Sequence, residues 1–205
     1  MVHNPRQLLD AVIRHGAAED LAAWAGSGRD GLLLLRAEVS GRGRRRWTDV
    51  HPKDVIDGLS AAAAAIAARN PCEFLDVFAD QEFEENGYVL TGLGYIDDPR
   101  ATERLARATT SGTSWTRMDA AIGLGRRPGP AAAEALLRLL HDPDYLVRYH
   151  TLRSLGAVGD ARALAPLTSI DAPSESEQRL AAEAIRSIEG RLEGERSGGS
   201  AAGER

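Results

Sequence analysis

The sequence predicts an all-α fold, a right-handed α-solenoid of antiparallel helix pairs, and three observations support this prediction. First, the chain falls back into register when it is shifted by 31 residues, a period that is typical of stacked helix pairs. Leucines mark the period in two sets: Leu93, Leu124 and Leu155, each followed by glycine, and Leu105, Leu136 and Leu167. Second, apolar residues within a repeat follow helical spacing: Ala133, Leu136, Leu137 and Leu140. Third, aromatic residues make up only 5% of the chain, which suits closely packed helices.

The period divides the chain into three segments. Residues 84–191 form the regular repeats, and their helices are predicted to begin near the following positions: Glu84, Pro99, Ser114, Pro130, Tyr145, Ala161 and Ser176. Residues 1–83 are predicted to be helical and to cap the solenoid with degenerate repeats, because Phe74 lies 31 residues before Leu105 and terminal repeats are usually atypical. Residues 192–205 lose the apolar periodicity and are predicted to form a disordered tail.

Proline and glycine set the predicted boundaries in the N-terminal segment. Pro5–His15 is predicted to be a helix, because a proline begins it and a glycine follows it. Ala18–Ala25 and Leu32–Val39 are predicted to be short helices, with a strand as the alternative for the second. Asp54–Arg69 is a further predicted helix, and Asn70-Pro71 ends it.

The charge and the apolar pattern limit the class of protein. The net charge is −5, whereas proteins that bind the nucleic-acid backbone are usually basic, so a nucleic-acid partner is not expected. Lys53 is the only lysine among 25 basic residues, which indicates a genomic bias, and we expect a bacterial protein. Ala61–Ala68 is apolar but much shorter than the roughly 20 residues of a membrane span. With no signal sequence at the N-terminus, the prediction is a cytoplasmic protein.

Motifs for catalysis or metal binding are missing from the sequence. Cys72 is the only cysteine, which excludes an intramolecular disulfide and a multi-cysteine zinc site. We interpret Cys72 as a small buried residue near Phe74 rather than as a reactive thiol at a helix start. His141 and His150 flank one turn, but a metal site needs three or four converging ligands. Neither a nucleophile elbow nor a Walker phosphate loop occurs, so we predict a non-enzymatic protein without a cofactor.

The segment DPDYLVRYHTLRSLGAVGD resembles the HEAT family, in the short-repeat form of phycobilin-lyase-like proteins. Four elements carry the motif: Leu139-Leu140, Asp142-Pro143-Asp144, Val147-Arg148 and Leu155-Gly156. The resemblance extends over residues 84–191. The preceding repeat keeps the arginine as Arg117, whereas Asn86 stands at this position in the repeat before it.

The resemblance implies a ladder of charged hydrogen bonds between adjacent repeats. Asp142, Asp144, Arg148 and Arg117 are its predicted members. Because Arg148→Ala would leave a partner aspartate unpaired, it is predicted to lower the free energy of unfolding by roughly 1–3 kcal/mol.

The resemblance also implies a binding surface, because the second helix of each HEAT pair lines the concave side. Val147, Thr151 and Leu155 are predicted to face the core. The outward positions and their equivalents in the other repeats are the candidate binding residues: Tyr88, Thr91, Met118, Asp119, Ile122, Tyr149, His150 and Arg153. Such amphipathic anchors are enriched at interface centres, although scattered apolar residues are also normal on any surface.

The only basic cluster is a second candidate site. Its residues lie in one predicted loop: Arg42, Arg44, Arg45, Arg46 and Trp47. One interpretation is a solvated loop whose charges are balanced by nearby acids. The other is a contact for an acidic surface or a phosphate, with Trp47 stacking beside the arginines.

Taken together, these features predict a non-enzymatic binding or adaptor protein that presents a concave helical surface to a protein or peptide partner. The alternative is a HEAT-fold enzyme or enzyme partner. A lyase-like protein is one form of it. An alkylpurine DNA glycosylase-like protein is another, and its candidate residues would be Trp115, Asp119, Arg148 and Tyr149.

Overall fold

The structure is a computed structural model that describes residues 4–42 and 47–201, with side chains described over 4–40 and 47–196. Its helices are α1 Pro5–His15, α2 Ala18–Ala25, α3 Gly28–Ala37, α4 Pro52–Arg69, α5 Pro71–Val77, α6 Gly87–Leu93, α7 Pro99–Ala108, α8 Ser114–Leu124, α9 Pro130–Arg138, α10 Tyr145–Val158, α11 Leu164–Ser169 and α12 Glu175–Ala201. A π-helical turn, Glu38–Arg42, follows α3, and single 3-10 turns precede α6 and α11: Gln81–Phe83 and Ala161–Ala163. No β-strand occurs in the described ranges, so the predicted all-α class is confirmed.

The chain folds as two compact units, Met1–Arg104 and Leu105–Arg205. This division falls inside α7, whereas the sequence predicts that the regular repeats begin at residue 84. The two boundaries describe different properties, because one marks where the sequence becomes periodic and the other where the chain becomes compact. The predicted start of the repeats therefore stays a prediction.

In the first unit, α4 is the central helix and packs against α1, α2 and α6. The predicted apolar face of α1 is buried: Leu8, Leu9, Val12 and Ile13. Trp24 of α2 is also fully buried, and its indole N–H donates to the carbonyl oxygen of Ala62 at 2.9 Å. The alternative of a strand over Leu32–Val39 is wrong, because Leu32 and Leu35 share one buried helical face of α3.

Cys72 does not have its predicted environment. It is exposed at the start of α5, whereas Phe74, Leu75 and Phe78 of the same segment are buried. Two residues along an α-helix correspond to a rotation of about 200°, so Cys72 points away from the face that holds Phe74.

Gly58 allows a close contact between α1 and α4. A Cβ atom at Gly58 would lie 2.7 Å from the Cα atom of Ile13, which is a backbone atom. Alanine is favoured over glycine in a helix by up to about 1 kcal/mol, but overpacking a core costs about 1–3 kcal/mol. We therefore expect Gly58→Ala to lower the free energy of unfolding by about 1 kcal/mol, measured by urea denaturation.

Gly190→Ala is the matched control, since no atom lies within 4 Å of a Cβ at this helical position of α12. The control is expected to stabilise the protein slightly. Equal stabilisation by both variants would show that α1 and α4 do not pack closely at Gly58.

In the second unit, α10 packs between α8 and α12, and α9 packs against both α8 and α10. The periodic leucines are buried here as predicted: Leu105, Leu124, Leu136, Leu155 and Leu167. Small residues let the second helices approach each other. A Cβ at Gly125 would lie 2.4 Å from Ser154 Oγ, and one at Gly156 would lie 3.3 Å from Ala184 Cα. The Ser154 hydroxyl also donates to the carbonyl oxygen of Ala121 at 2.8 Å.

The last helix extends into the predicted tail. Residues 175–201 form α12, past the predicted end of the repeats at residue 191, and 202–205 lie outside the described residues. Arg191 of α12 donates to the carbonyl oxygens of Gly156 and Gly159 at 2.6 and 2.8 Å. A cation that binds the terminal carbonyl groups stabilises a helix end, so Arg191 ties α12 to the end of α10.

No helix in the described part of the chain is both long enough and apolar enough to cross a membrane.

Candidate functional site

The arginine ladder is present and joins successive helix pairs. Arg117 donates two hydrogen bonds to the carboxylate of Asp142, from Nε at 2.6 Å and from Nη2 at 2.9 Å, and a third to the carbonyl oxygen of Ser111 at 2.9 Å. Arg148 repeats this pattern, with Glu177 Oε1 at 2.6 Å and the carbonyl oxygen of Asp142 at 2.8 Å. Each arginine therefore links the turn of its own repeat to a carboxylate of the next one.

The partner of Arg148 differs from the predicted aspartate. Asp144 caps the N-terminus of α10 and accepts the N–H groups of Leu146 and Val147, so it is not a rung of the ladder. The position 31 residues after Asp142 is Pro173, which carries no carboxylate, and Glu177 from the first turn of α12 supplies one instead. The predicted ladder is confirmed for Arg117, Arg148 and Asp142, and its assignment to Asp144 is wrong.

The ladder carboxylates are held in their charged form. Burial raises the pKa of Asp142, but the hydrogen bond from Arg117 and the backbone N–H of Asp144 outweigh it, and the pKa lies below its ordinary value. Burial also raises the pKa of Glu177, but the hydrogen bonds from Arg148 and Ser174 outweigh this effect, and the pKa of Glu177 lies below its ordinary value. The ladder is thus a structural feature whose charges are already satisfied.

A groove between α8 and α10 brings together three of the predicted binding residues, Ile122, His150 and Arg153. It has a volume of about 340 Å³, and small residues at the contact between the helices also line it: Gly125, Ser154 and Ala157. Arg126 completes its wall and donates to the carbonyl oxygen of Ile122 at 3.0 Å.

Tyr149, His150 and Arg153 form a cluster at this groove. The rings of Tyr149 and His150 meet edge to face at 5.2 Å, and the guanidinium carbon of Arg153 lies 6.0 Å from the centre of the Tyr149 ring. Burial and then the charge of Arg153 lower the pKa of His150, so this imidazole is neutral at pH 7. Arg153 itself is exposed and makes no hydrogen bond or ion pair with the described residues.

A second groove lies between α10 and α12 and shares Arg153 and Ala157 with the first. Its lining from α12 consists of residues that the sequence did not identify: Leu180, Glu183, Ala184 and Ser187. A shift of 31 residues from His150 or Arg153 does not reach Glu183, because the last repeat has a spacing of 33, from Leu155 to Ile188. We call the surface formed by Ile122, His150, Arg153 and Glu183 the second-helix face.

Asp119 lies one turn before Ile122 on α8, with Met118 beside it, and both are half-buried. Within the described ranges the Asp119 carboxyl group has no hydrogen bond or ion pair. Burial raises the pKa of Asp119 to about 6. This carboxylate is therefore partly dehydrated without compensation, in contrast to those of the ladder.

Comparison with known proteins identifies the repeats. The sequence model of HEAT repeats matches residues 73–145 and 114–186, which together span more than half of the chain. The chain belongs to the HEAT-repeat family. The fold is also similar to the crystal structure of an engineered protein, with a TM-score of 0.53 and 19% sequence identity over 91% of this chain and 89% of that one. At this identity the similarity concerns the fold alone. The α-solenoid class of HEAT repeats is thus confirmed, and the protein is a helical repeat scaffold.

Two candidate binding residues belong to the first unit. Tyr88 is the second residue of α6 and lines a cavity together with residues of α4. Thr91 lies one turn later, and its hydroxyl group donates to the carbonyl oxygen of Gly87 at 2.9 Å. The second-helix face is described within the second unit and does not include either residue.

The basic loop is largely outside the described residues. Arg44, Arg45 and Arg46 lie there, and of Arg42 only the backbone is described, at the end of the π-helical turn. Trp47 is 5% exposed, and its indole N–H donates to Asp10 at 3.0 Å. A buried ring does not offer a stacking surface to a solvent-borne base, so this part of the loop hypothesis is wrong.

The four residues considered for a glycosylase-like HEAT enzyme do not form a cluster of available side chains, because the guanidinium group of Arg148 is already bound to Glu177 in the ladder. Trp115 is 66% exposed, and Tyr149 packs against His150. The part of the chain that the structure describes contains no group of three or more histidine, cysteine, aspartate or glutamate side chains that could hold a metal ion.

Proposed function

We propose that the chain is a non-enzymatic binding or adaptor protein that holds a protein or peptide partner on its second-helix face. The observation that carries this proposal is the pair of grooves that share Arg153. Its guanidinium group is exposed, projects where both grooves meet and has no ion-pair partner in the described part of the chain. Arginine in such a position is enriched among residues that dominate binding energy.

Two further features support a protein or peptide as the partner. The floor of the grooves is made of small residues, which leave room for an inserted side chain: Gly125, Ser154, Gly156 and Ala157. Trp115 and Leu146 occupy equivalent positions at the starts of α8 and α10 and are 66% and 41% exposed. Exposed large apolar groups beside polar grooves are typical of protein interfaces. A cytoplasmic, bacterial setting without a cofactor and without nucleic acid is part of the same proposal.

The test uses Arg153→Ala and, as a matched control, Arg138→Ala. Arg138 is also an exposed arginine, but it lies on the first helix α9, where it pairs with Glu134 at 3.2 Å. A partner captured from the native host with the unmodified chain is purified, and its affinity for each variant is measured by calorimetry. We expect Arg153→Ala to weaken binding by at least about tenfold and Arg138→Ala by less than about twofold.

Two outcomes contradict the proposal. Equal affinities of the two variants would show that the second-helix face is not the interface. If Arg153→Ala binds normally and a change within 42–46 abolishes binding, the basic loop is the site.

A further inference from the structure

The groove between α8 and α10 is the basic part of the second-helix face. Arg126, His150 and Arg153 line it, and among the described residues no aspartate or glutamate does. The groove between α10 and α12 differs, because Glu183 lines it together with Arg153. The lining of the first groove therefore attracts an acidic group, whereas the α12 side of the second groove repels one.

Arg153 supplies the charge that is available to a partner. Its guanidinium group is exposed and makes no hydrogen bond or ion pair with any described residue, including the acidic residues of this face, Asp119 and Glu183. Its guanidinium carbon lies 6.0 Å from the centre of the Tyr149 ring. An aromatic ring attracts the flat face of a guanidinium group, so the N–H groups in its plane stay free to donate. The contact also restricts the side chain, which reduces the entropy lost on binding.

The rest of the groove determines which group can enter. The imidazole of His150 is neutral at pH 7, has one N–H group to donate and makes no hydrogen bond with the described residues. Gly125, Ser154 and Ala157 form the floor, and these small residues leave room for one inserted side chain. A carboxylate accepts two parallel hydrogen bonds from a guanidinium group, and such bonds are about twice as strong as those between neutral groups. The groove therefore fits an acidic side chain better than a neutral one.

We propose that the groove between α8 and α10 binds an aspartate or glutamate side chain from a linear peptide segment of the partner. The carboxylate lies against the guanidinium group of Arg153, and His150 donates a further hydrogen bond. Apolar neighbours of the acidic residue pack against Ile122 of α8. This inference rests on the proposed binding function of the second-helix face and names the chemistry that the partner brings to it.

The probe is a random library of short peptides displayed on phage and selected on the full chain. We expect the enriched peptides to share aspartate or glutamate at one position. These peptides are then synthesised with an acetylated N-terminus and an amidated C-terminus, so that side chains provide the only carboxylates. A neutral form, in which asparagine or glutamine replaces the shared acid, is expected to bind at least about tenfold more weakly in calorimetry.

Three variants assign the acid to its groove. Arg153→Gln changes an exposed side chain without hydrogen bonds, so it should fold normally. We expect it to weaken binding of the acidic peptide at least about tenfold and of the neutral form by less than about twofold. Arg138→Gln, at an exposed arginine of α9, is the matched control and should change neither affinity. Glu183→Gln removes the acid of the second groove, so the affinity for the acidic peptide should stay equal or rise.

Three outcomes would overturn this proposal. Either no peptide is enriched, or the enriched peptides share a basic or apolar residue instead of an acid, or Arg153→Gln affects the acidic and neutral peptides equally. None of these outcomes contradicts the proposed function, which depends on the affinity of the native partner for Arg153→Ala. If that affinity is also unchanged, the second-helix face itself is not the interface.

Discussion

Arg148→Ala is expected to lower the free energy of unfolding at pH 7 by about 3 kcal/mol, at the upper end of the range predicted from the sequence. The Glu177 side chain is only 2% exposed and Arg148 is 16% exposed. Removal of the arginine leaves a buried carboxylate whose remaining side-chain partner is the hydroxyl group of Ser174, at 2.6 Å. The effect is measured by urea denaturation. Arg162→Ala is the matched control, because Arg162 pairs with Asp160 at the surface, where both side chains are at least 40% exposed.

The pH dependence distinguishes this cause from lost packing. The folded pKa of Glu177 lies below its ordinary 4.5, so the stability from its charge is present above about pH 4.5 and is lost as the pH falls through the folded pKa. In Arg148→Ala the hydrogen bond and the charge of Arg148 are gone and only Ser174 opposes the effect of burial, so we expect the pKa of Glu177 to rise and the charge to contribute less stability at pH 7. The difference between the two proteins should therefore be large at pH 7 and shrink near pH 3. A constant difference across this range would show that Arg148 acts through packing alone.

Asp119→Asn is expected to stabilise the protein at pH 7 by about 1–3 kcal/mol, since the amide keeps the shape of the side chain and removes a poorly hydrated charge. Burial raises the pKa of Asp119 from 3.8 to about 6. A raised acid pKa gives stability that is complete below pH 3.8, declines as the pH rises and is lost above about pH 6. The two proteins should therefore be equally stable near pH 3.5 and diverge up to about pH 7.

Asp171→Asn, at an exposed aspartate of the same unit, is the control and should change stability by less than about 0.5 kcal/mol. If Asp119→Asn is no more stable than the parent at pH 7, the carboxylate has a compensating partner. The half-buried carboxylate of Asp119, one turn before Ile122, lowers stability at pH 7, and residues that are retained at a cost in stability are often functional.

The periodic part of the fold could be predicted from the sequence because its signals repeat. Leu124, Leu136 and Leu155 are fully buried, and α7, α8, α9 and α10 begin at the predicted residues. Each of these positions has an equivalent 31 residues away in the sequence, so the two positions support the same prediction. Glu177 had no such support, because the spacing changes in the last repeat, and the same change concealed Glu183.

The site was only partly predictable, because side-chain burial depends on contacts between helices that are distant in sequence. Ile122, His150 and Arg153 were found because the second helices share one register. Tyr88 has the same register, yet it lines a cavity with residues of α4, which no repeat pattern encodes. Trp47 was expected to be exposed in a polar loop, but its hydrogen bond to Asp10 reaches across 37 residues.

The ladder uses Asp142 as the partner of Arg117 and Glu177 as the partner of Arg148, and this difference has a consequence for the evolution of such repeats. Arg117 binds a carboxylate 25 residues ahead, in the turn before α10, whereas Arg148 binds one 29 residues ahead, in the first turn of α12. The longer glutamate side chain lets a residue within the next helix replace the aspartate of the turn as the partner of the arginine. Insertions and deletions, which usually disrupt a repeat array, are therefore tolerable in these turns wherever a nearby acidic residue can take over the arginine.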